Sequence, residues 1–268
     1  SPCRIGVIGG GAGGVELLLA VRHRLLRDLP LARHDQLAFV LVSASADVLP
    51  GHGARARRLM REALARADVE LHLGSTVVAV EAQGLRTAQG AHVALDEMLW
   101  VTQAAAAGFL RDAGLATTAD GFVRVDASLR SVSHPQVFAA GDIAHVDAHP
   151  RPKAGVYAVR QGPPLADNLR RALRGEATRP FTPQREALAI ISTGGRHAIA
   201  TRGPFSVAGD WVWRWKDRID RKFMARYREL AMPAMPTSMP SASSDASDMR
   251  CGGCGSKLAA GVLHDALG

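Results

Sequence analysis

The chain has 268 residues, 47% of them hydrophobic, which is enough for one large domain or two ordinary ones with real cores. No stretch approaches the roughly 18 consecutive apolar residues of a membrane-spanning helix, and the start lacks the basic-then-apolar order of a secretory signal, so a cytoplasmic location is the default expectation. The net charge of +8 would suit an acidic partner, but no helix-turn-helix, RRM or zinc-finger pattern accompanies it, and nucleic-acid binding is not expected; the three cysteines, two of them in one tight "CGGC", exclude a disulfide framework.

The first apolar run, Arg4 to Gly9, reads as a buried strand. Gly9, Gly11 and Gly14 then fit G-x-G-x-x-G, and a helix is predicted from about Ala12 to Arg27. In that context the first glycine permits the tight turn, the second lets backbone approach a pyrophosphate, and the third lets helix and strand pack closely, with the helix N-terminus aimed at the phosphates. Gly9, Gly11, Ala12 and Gly14 are therefore the candidate dinucleotide contacts. The second strand, Leu37 to Val42, ends in Ser43, Ala44 and Ser45, where an acidic residue would hold the ribose of NAD; Ser43 takes that place. Arg55, Arg57 and Arg58 could receive a 2′-phosphate, although their spacing equally suits the outer face of a helix from Ala54 to Ala67. NADH against NADPH stays open, with a slight lean to NADH. "VELHLG", "TVVAVEA", an antiparallel excursion from Leu85 to Ala94 and a strand from Met98 complete a compact nucleotide domain near Ala105.

Next come "GFVRVDASLRSVSHPQVFAAGDIA" (Gly121 to Ala144) and "PKAGVYAVRQGPPLADNLRRALRG" (Pro152 to Gly175). Together with the GxGxxGxE pattern ending in Glu16, these stretches resemble the FAD-dependent pyridine nucleotide-disulfide oxidoreductases, in particular the type II NADH dehydrogenase-like branch. The resemblance implies a strand closing in "FAAGD" that brings Gly141 and Asp142 against the ribityl chain of FAD. It also implies a helix that starts under the flavin pyrimidine ring, with Gly155, Val156 and Tyr157 as backbone contacts and Lys153 as a nearby cation. A helix N-terminus there would stabilise the negative charge of a reduced flavin. Arg160 and Gln161 read more plainly as helix surface residues. Glu16 is the residue the family places near the nicotinamide; its alternative is a solvent-facing or dipole-stabilised glutamate. The cofactors implied are NAD(P)H and FAD, and the reaction is hydride transfer from nicotinamide to flavin and on to a small-molecule acceptor.

Family members carry two dinucleotide folds, the FAD fold first. The residues here start with the first strand of the NAD domain, so the expectation is a piece of a longer protein, with weak or absent FAD binding and little turnover by itself.

From Phe181 the chain shows two short strands, "EALAIIS" and "HAIATRG", then a helix through "VAGDWVWRWKDRIDRKFMARYREL", where Val212, Trp215, Ile219 and Phe223 form one apolar stripe. A membrane surface is weighed against packing on the flavin domain or a second subunit of a homodimer, and packing is favoured. Met232 to Asp248 is a proline- and serine-rich linker. The tail, "MRCGGCGSKLAAGVLHDALG", resembles the start of selenide, water dikinase, with Cys254 and Lys257 at the catalytic positions of a G-C-G-x-K loop. The expected partners are thus an electron acceptor and a fused kinase domain whose selenium the reductase would keep as selenide.

The expected fold class is α/β: a Rossmann-like NAD(P)-binding domain, a parallel sheet plus β-meander, over 1–105; part of an FAD-binding domain over 106–178; a small α+β interface segment over 179–231; the linker over 232–248; and the start of the kinase over 249–268. The function expected is an NAD(P)H-dependent FAD oxidoreductase, the alternative being a non-catalytic NAD(P)-binding module that regulates the kinase.

Overall fold

A computed structural model describes residues 2–228. The opening apolar run forms β1 (Cys3–Ile8), followed by α1 (Ala12–Asp28), β2 (Leu37–Val42), α2 (Ala54–Arg66) and β3 (Val69–His72). A meander of β4 (Val77–Glu81), β5 (Gly84–Thr87) and β6 (His92–Ala94) then leads to β7 (Glu97–Trp100). The main sheet has the order β3-β2-β1-β7 with every pair parallel. Parallel strands of this kind are covered on both faces, which is why β1 and β2 read as continuous apolar runs. Alternation still sorts their side chains. Val7, Phe39 and Leu41 pack against Val15, Leu18, Met60 and Leu64 of the two helices, whereas Ile8, Val40 and Val42 pack against Leu85, Val93 and Leu95 on the meander side.

After β7 comes a smaller assembly: α3 (Phe109–Asp112), β8 (Val123–Val125), β9 (Ala144–Val146) and α4 (Gly155–Leu173). Strands β8 and β9 pair in parallel, and Leu110, Val123, Val125, Leu129, Ala144 and Val146 form a separate core closed by Leu165 of α4. The strand expected to close in "FAAGD" is not formed. Phe138 makes a single bridge to Arg130, and Gly141–Ile143 is a short 3-10 turn. Asn168, 1% exposed, anchors α4: its Nδ2 donates to the carbonyls of Ser128 and Arg179, both at 2.9 Å, and its Oδ1 accepts from Arg179 N at 2.8 Å.

The last part is an antiparallel sheet of β10 (Ala189–Ser192), β11 (Ala198–Arg202) and β12 (Phe205–Gly209), then α5 (Asp210–Arg228). Strand β12 corrects the expectation of helix from Val207. Its pairing with β11 continues to Gly209, whose φ of +149° ends the strand just before the helix. Ile191 and Ile199 join Val15, Leu19 and Met60 in one core, so this sheet packs on α1 and α2.

The expected stripe on α5 is only partly realised. Val212 is fully buried with Ala198 and Ala200, but Trp215 and Ile219 remain 39% and 42% exposed. Strands of four or five residues extend only about 15 Å, whereas the helix runs for about 28 Å, so the sheet covers its first turn. A second compact unit begins at Lys222; within it, among the described residues, the rings of Phe223 and Tyr227 meet edge to face at 5.1 Å. No helix among the described residues is long and apolar enough to cross a membrane. The linker and the "CGGC" tail, with Cys254 and Lys257, lie outside the described residues.

Candidate functional site

The turn between β1 and α1 is shaped by what its glycines lack. Gly9 has φ +131°, and a Cβ there would run into the carbonyl of Val101; a Cβ on Gly14 would run into the carbonyl of Gly9. Helix α1 therefore rests on the end of its strand with no side chain between them. Gly9 N donates to Val42 O at 2.8 Å, and Leu49 N donates to Gly10 O at 2.7 Å, which ties the loop after β2 to the turn. Gly11 is the N-cap of α1 and offers no side chain to the first-turn amides, leaving them free for an anion.

Above this turn lies an open cleft of about 500 Å3, walled by the glycine turn, by Ser43 and Ser45 after β2, by Ser75 and Thr76 after β3, and by the end of β7 from Trp100 onward. No ionisable side chain lines it among the described residues. Its polar character comes from hydroxyls and backbone amides, the groups suited to a pyrophosphate and a sugar. The uncapped turn, and the open space beside Gly11 into which a Cβ would project, thus fit a dinucleotide.

Of the residues expected here, Gly9, Gly11 and Ser43 line the cleft, Ala12 opens the helix, and Gly14 lies behind the turn as the packing glycine. Ser43 is buried, and its Oγ accepts from Ser45 N at 3.2 Å. Glu16 does not line the cleft. Its Oε1 accepts from Ser192 N at 3.1 Å on β10 and lies 3.7 Å from Lys216 Nζ on α5. Burial alone would depress Lys216, but the Asp220 hydrogen bond and the Glu16 charge outweigh it and hold its pKa above the ordinary lysine value. Among the arginines, Arg57 lies against Asp47 and Arg58 against Glu62, at 3.7 and 3.6 Å.

A second, much narrower pocket, about 20 Å3, opens beside α4. Gly141, Asp142, Lys153, Tyr157 and Gln161 line it, with Asp142 exposed. Lys153 Nζ donates to Ala144 O at 2.5 Å and sits 4.1 Å from the centroid of the Phe122 ring. Burial pushes its pKa down while the Asp142 charge pulls it up, and burial prevails. Ala154 is the N-cap of α4, again without a side-chain cap; Tyr157 N donates to Ala154 O at 2.9 Å, which leaves the amides of Gly155 and Val156 comparable to those that open α1. Gln161 corrects the surface reading: it is 6% exposed, and its Oε1 accepts from Gly141 N at 2.6 Å, fixing the turn that carries Asp142. A signal for this was present, because Tyr157, Gln161, Leu165 and Asn168 recur at steps of four and three, the period of one buried helix face. The pocket offers far less room than the first cleft. No cluster of three or more metal-ligating side chains occurs among the described residues.

The chain matches the pyridine nucleotide-disulphide oxidoreductase family over residues 1–162. It is 30% identical over 140 residues to an NADH dehydrogenase-like protein of Mycobacterium tuberculosis, covering 52% of this chain and 34% of that protein. The chain thus spans about a third of the length of the curated relatives it matches. Among solved structures, a sulfide:quinone oxidoreductase from Aquifex aeolicus superposes with a TM-score of 0.67 at 16% identity, over 85% of this chain and 58% of that one. A water-forming NADH oxidase from Lactobacillus brevis, bound to NADH, does so with a TM-score of 0.57 at 24% identity, over 75% and 42%. An FAD-dependent pyridine nucleotide-disulphide oxidoreductase from Desulfovibrio vulgaris gives a TM-score of 0.56 at 23% identity, over 75% and 49%. These likenesses share the α/β fold with its central parallel sheet.

Proposed function

Because this chain belongs to the pyridine nucleotide-disulphide oxidoreductase family, we propose that its opening strand, turn and helix bind a nicotinamide dinucleotide, and that Asp142 and the start of α4 form the late part of a flavin site. The observation that carries this reading is the uncharged cleft over a glycine turn that admits no Cβ at Gly9 or Gly14. When both groups are bound, the nicotinamide supplies a hydride and the flavin accepts it. The chain's own task is to hold and orient. Backbone amides of α1 take the pyrophosphate, and Ser43 and Ser45 face the ribose. Asp142 accepts from ribityl hydroxyls, held in place through Gln161 and Gly141.

In this reading the whole protein is an NAD(P)H:acceptor flavoprotein oxidoreductase, and the 268 residues hold FAD weakly because they offer only one side of its cradle. Domain roles follow the same division: nucleotide binding over 1–105, flavin contacts over 106–178, and a supporting segment over 179–231. Residues 249–268, with Cys254 and Lys257, are proposed to open a selenide, water dikinase domain that receives the product of the reductase. If the protein carrying both parts oxidises NADH no faster with selenium species than with a quinone, that link fails.

Hydrogen exchange tests the central part. NADH is expected to protect amides 10–15 and 43–45; protection confined to other regions would contradict the site. One observation favours a second reading, a binding module without turnover. Glu16 is engaged by Ser192 and Lys216 rather than free at the cleft. Addition of NADH to the flavin-loaded protein distinguishes the two, since a reductase bleaches the flavin band and a binding module leaves it unchanged.

A further inference from the structure

The charges around the ribose end of the cleft bear on which nicotinamide nucleotide it takes. An NADH-selective turn presents a carboxylate to the ribose hydroxyls, and that carboxylate also repels a 2′-phosphate. The turn after β2 instead presents Ser43, Ala44 and Ser45, with Ser75 at the same wall. The first acid beyond them, Asp47, is already engaged. Its carboxylate accepts from Val48 N at 2.9 Å and lies 3.7 Å from the Arg57 guanidinium and 3.5 Å from that of Arg61. Two cations thus face one anion, and the Arg57 Nε is buried with no hydrogen-bond partner among the described residues.

The start of α2 adds to the positive field. Its N-cap, Gly53, three residues after Pro50 of the cleft wall, brings no side chain to the first-turn amides and no acid occupies that turn, so α2 starts with the positive end of its dipole uncompensated by an acid. Arg55, exposed in the same turn, has no ion-pair partner among the described residues.

We propose that this cleft prefers NADPH to NADH, the 2′-phosphate being accepted at the Ser43–Ser45 turn in the positive field of α2. The proposal rests on the dinucleotide reading of the cleft and reverses the slight lean to NADH drawn from the residues after β2. Hydroxyls at the turn donate to a phosphate as readily as they accept from a ribose. No carboxylate opposes the extra charge, and the surrounding cations favour it.

Calorimetric titration of the 268-residue chain with NADPH and with NADH provides the test. NADPH is expected to bind about fivefold tighter or better at low ionic strength, a size typical of a helix dipole and nearby exposed charges. The gap should narrow at about 0.5 M salt, where such fields are screened. Arg55→Glu together with Arg58→Glu should remove most of the gap and change NADH affinity by less than about twofold. Ser43→Asp should invert it; because Ser43 is buried, the exposed arginine pair keeps the test decisive if that variant fails to fold. Tighter binding of NADH, or a gap unmoved by salt and by the arginine pair, would overturn the preference while leaving the dinucleotide site standing. Binding of neither coenzyme would overturn both.

Discussion

The cleft above β1 and the pocket beside Asp142 are both entered by a turn leading into a helix with no side-chain cap, yet one is a wide cleft and the other a narrow pocket. In the first, a single parallel sheet delivers the glycine turn and the loops after β2, β3 and β7, so one continuous stretch of chain supplies every wall. In the second, a two-stranded ladder and α4 supply Asp142, Lys153, Tyr157 and Gln161 around a much smaller space. A helix N-terminus gives direction and partial charge, but the room for a ligand comes from the loops of neighbouring strands. The sheet at the first site provides them.

That contrast can be broken from either side. The largest effect is expected from Gly14→Ala, because the added Cβ would meet the carbonyl of Gly9 and lift α1 off its strand. Nucleotide affinity should fall about a hundredfold, equivalent to ~3 kcal/mol, while amides around Asn168 keep their exchange protection. Asn168→Ala acts on the other region: three hydrogen bonds, one buried and two half-buried, lose their partner. Chemical denaturation should show a loss of about 2–3 kcal/mol with nucleotide affinity unchanged. Gln161→Leu sharpens the comparison further. It leaves the Gly141 amide unpaired, at a cost of about 1–2 kcal/mol, and should raise hydrogen exchange at 141–143 without touching 9–15.

The smallest effect concerns Lys216, whose pKa is raised in the folded protein. Its contribution is fully present below the ordinary lysine value of 10.5 and is lost as pH rises through the higher folded value. Stability above about pH 10.5 should therefore fall less in Lys216→Met than in the parent, by under about 1 kcal/mol, as for partly exposed pairs.

The same two regions differ in how far residue patterns foretell them. Around the cleft, local signals sufficed. Apolar runs marked β1 and β2, glycine spacing marked the turn, and α1 and α2 lie within a residue or so of their predicted ends. Beyond β7 the determinants are contacts between distant positions. Whether Phe138 forms a full strand depends on what pairs with it, and α5 is covered only as far as three short strands reach. Gln161 carries no apolar label, so its burial shows only in the four-residue step from Tyr157, and its purpose only once Gly141 is folded against it. Glu16 sits in a pattern associated with the nicotinamide, yet Ser192 N and Lys216, nearly two hundred residues later in the chain, engage its carboxylate.

In the proposed reading the glycine turn after β1 holds the nicotinamide nucleotide and the flavin is only partly accommodated. Parallel titrations of the 268-residue chain with NADPH and with FAD, in parent and Gly14→Ala protein, test it most directly. The account predicts one nicotinamide nucleotide per chain, lost in the variant, and weak FAD binding that the variant leaves unchanged. Tight stoichiometric FAD binding that disappears in Gly14→Ala would contradict it, because the turn would then be a flavin turn.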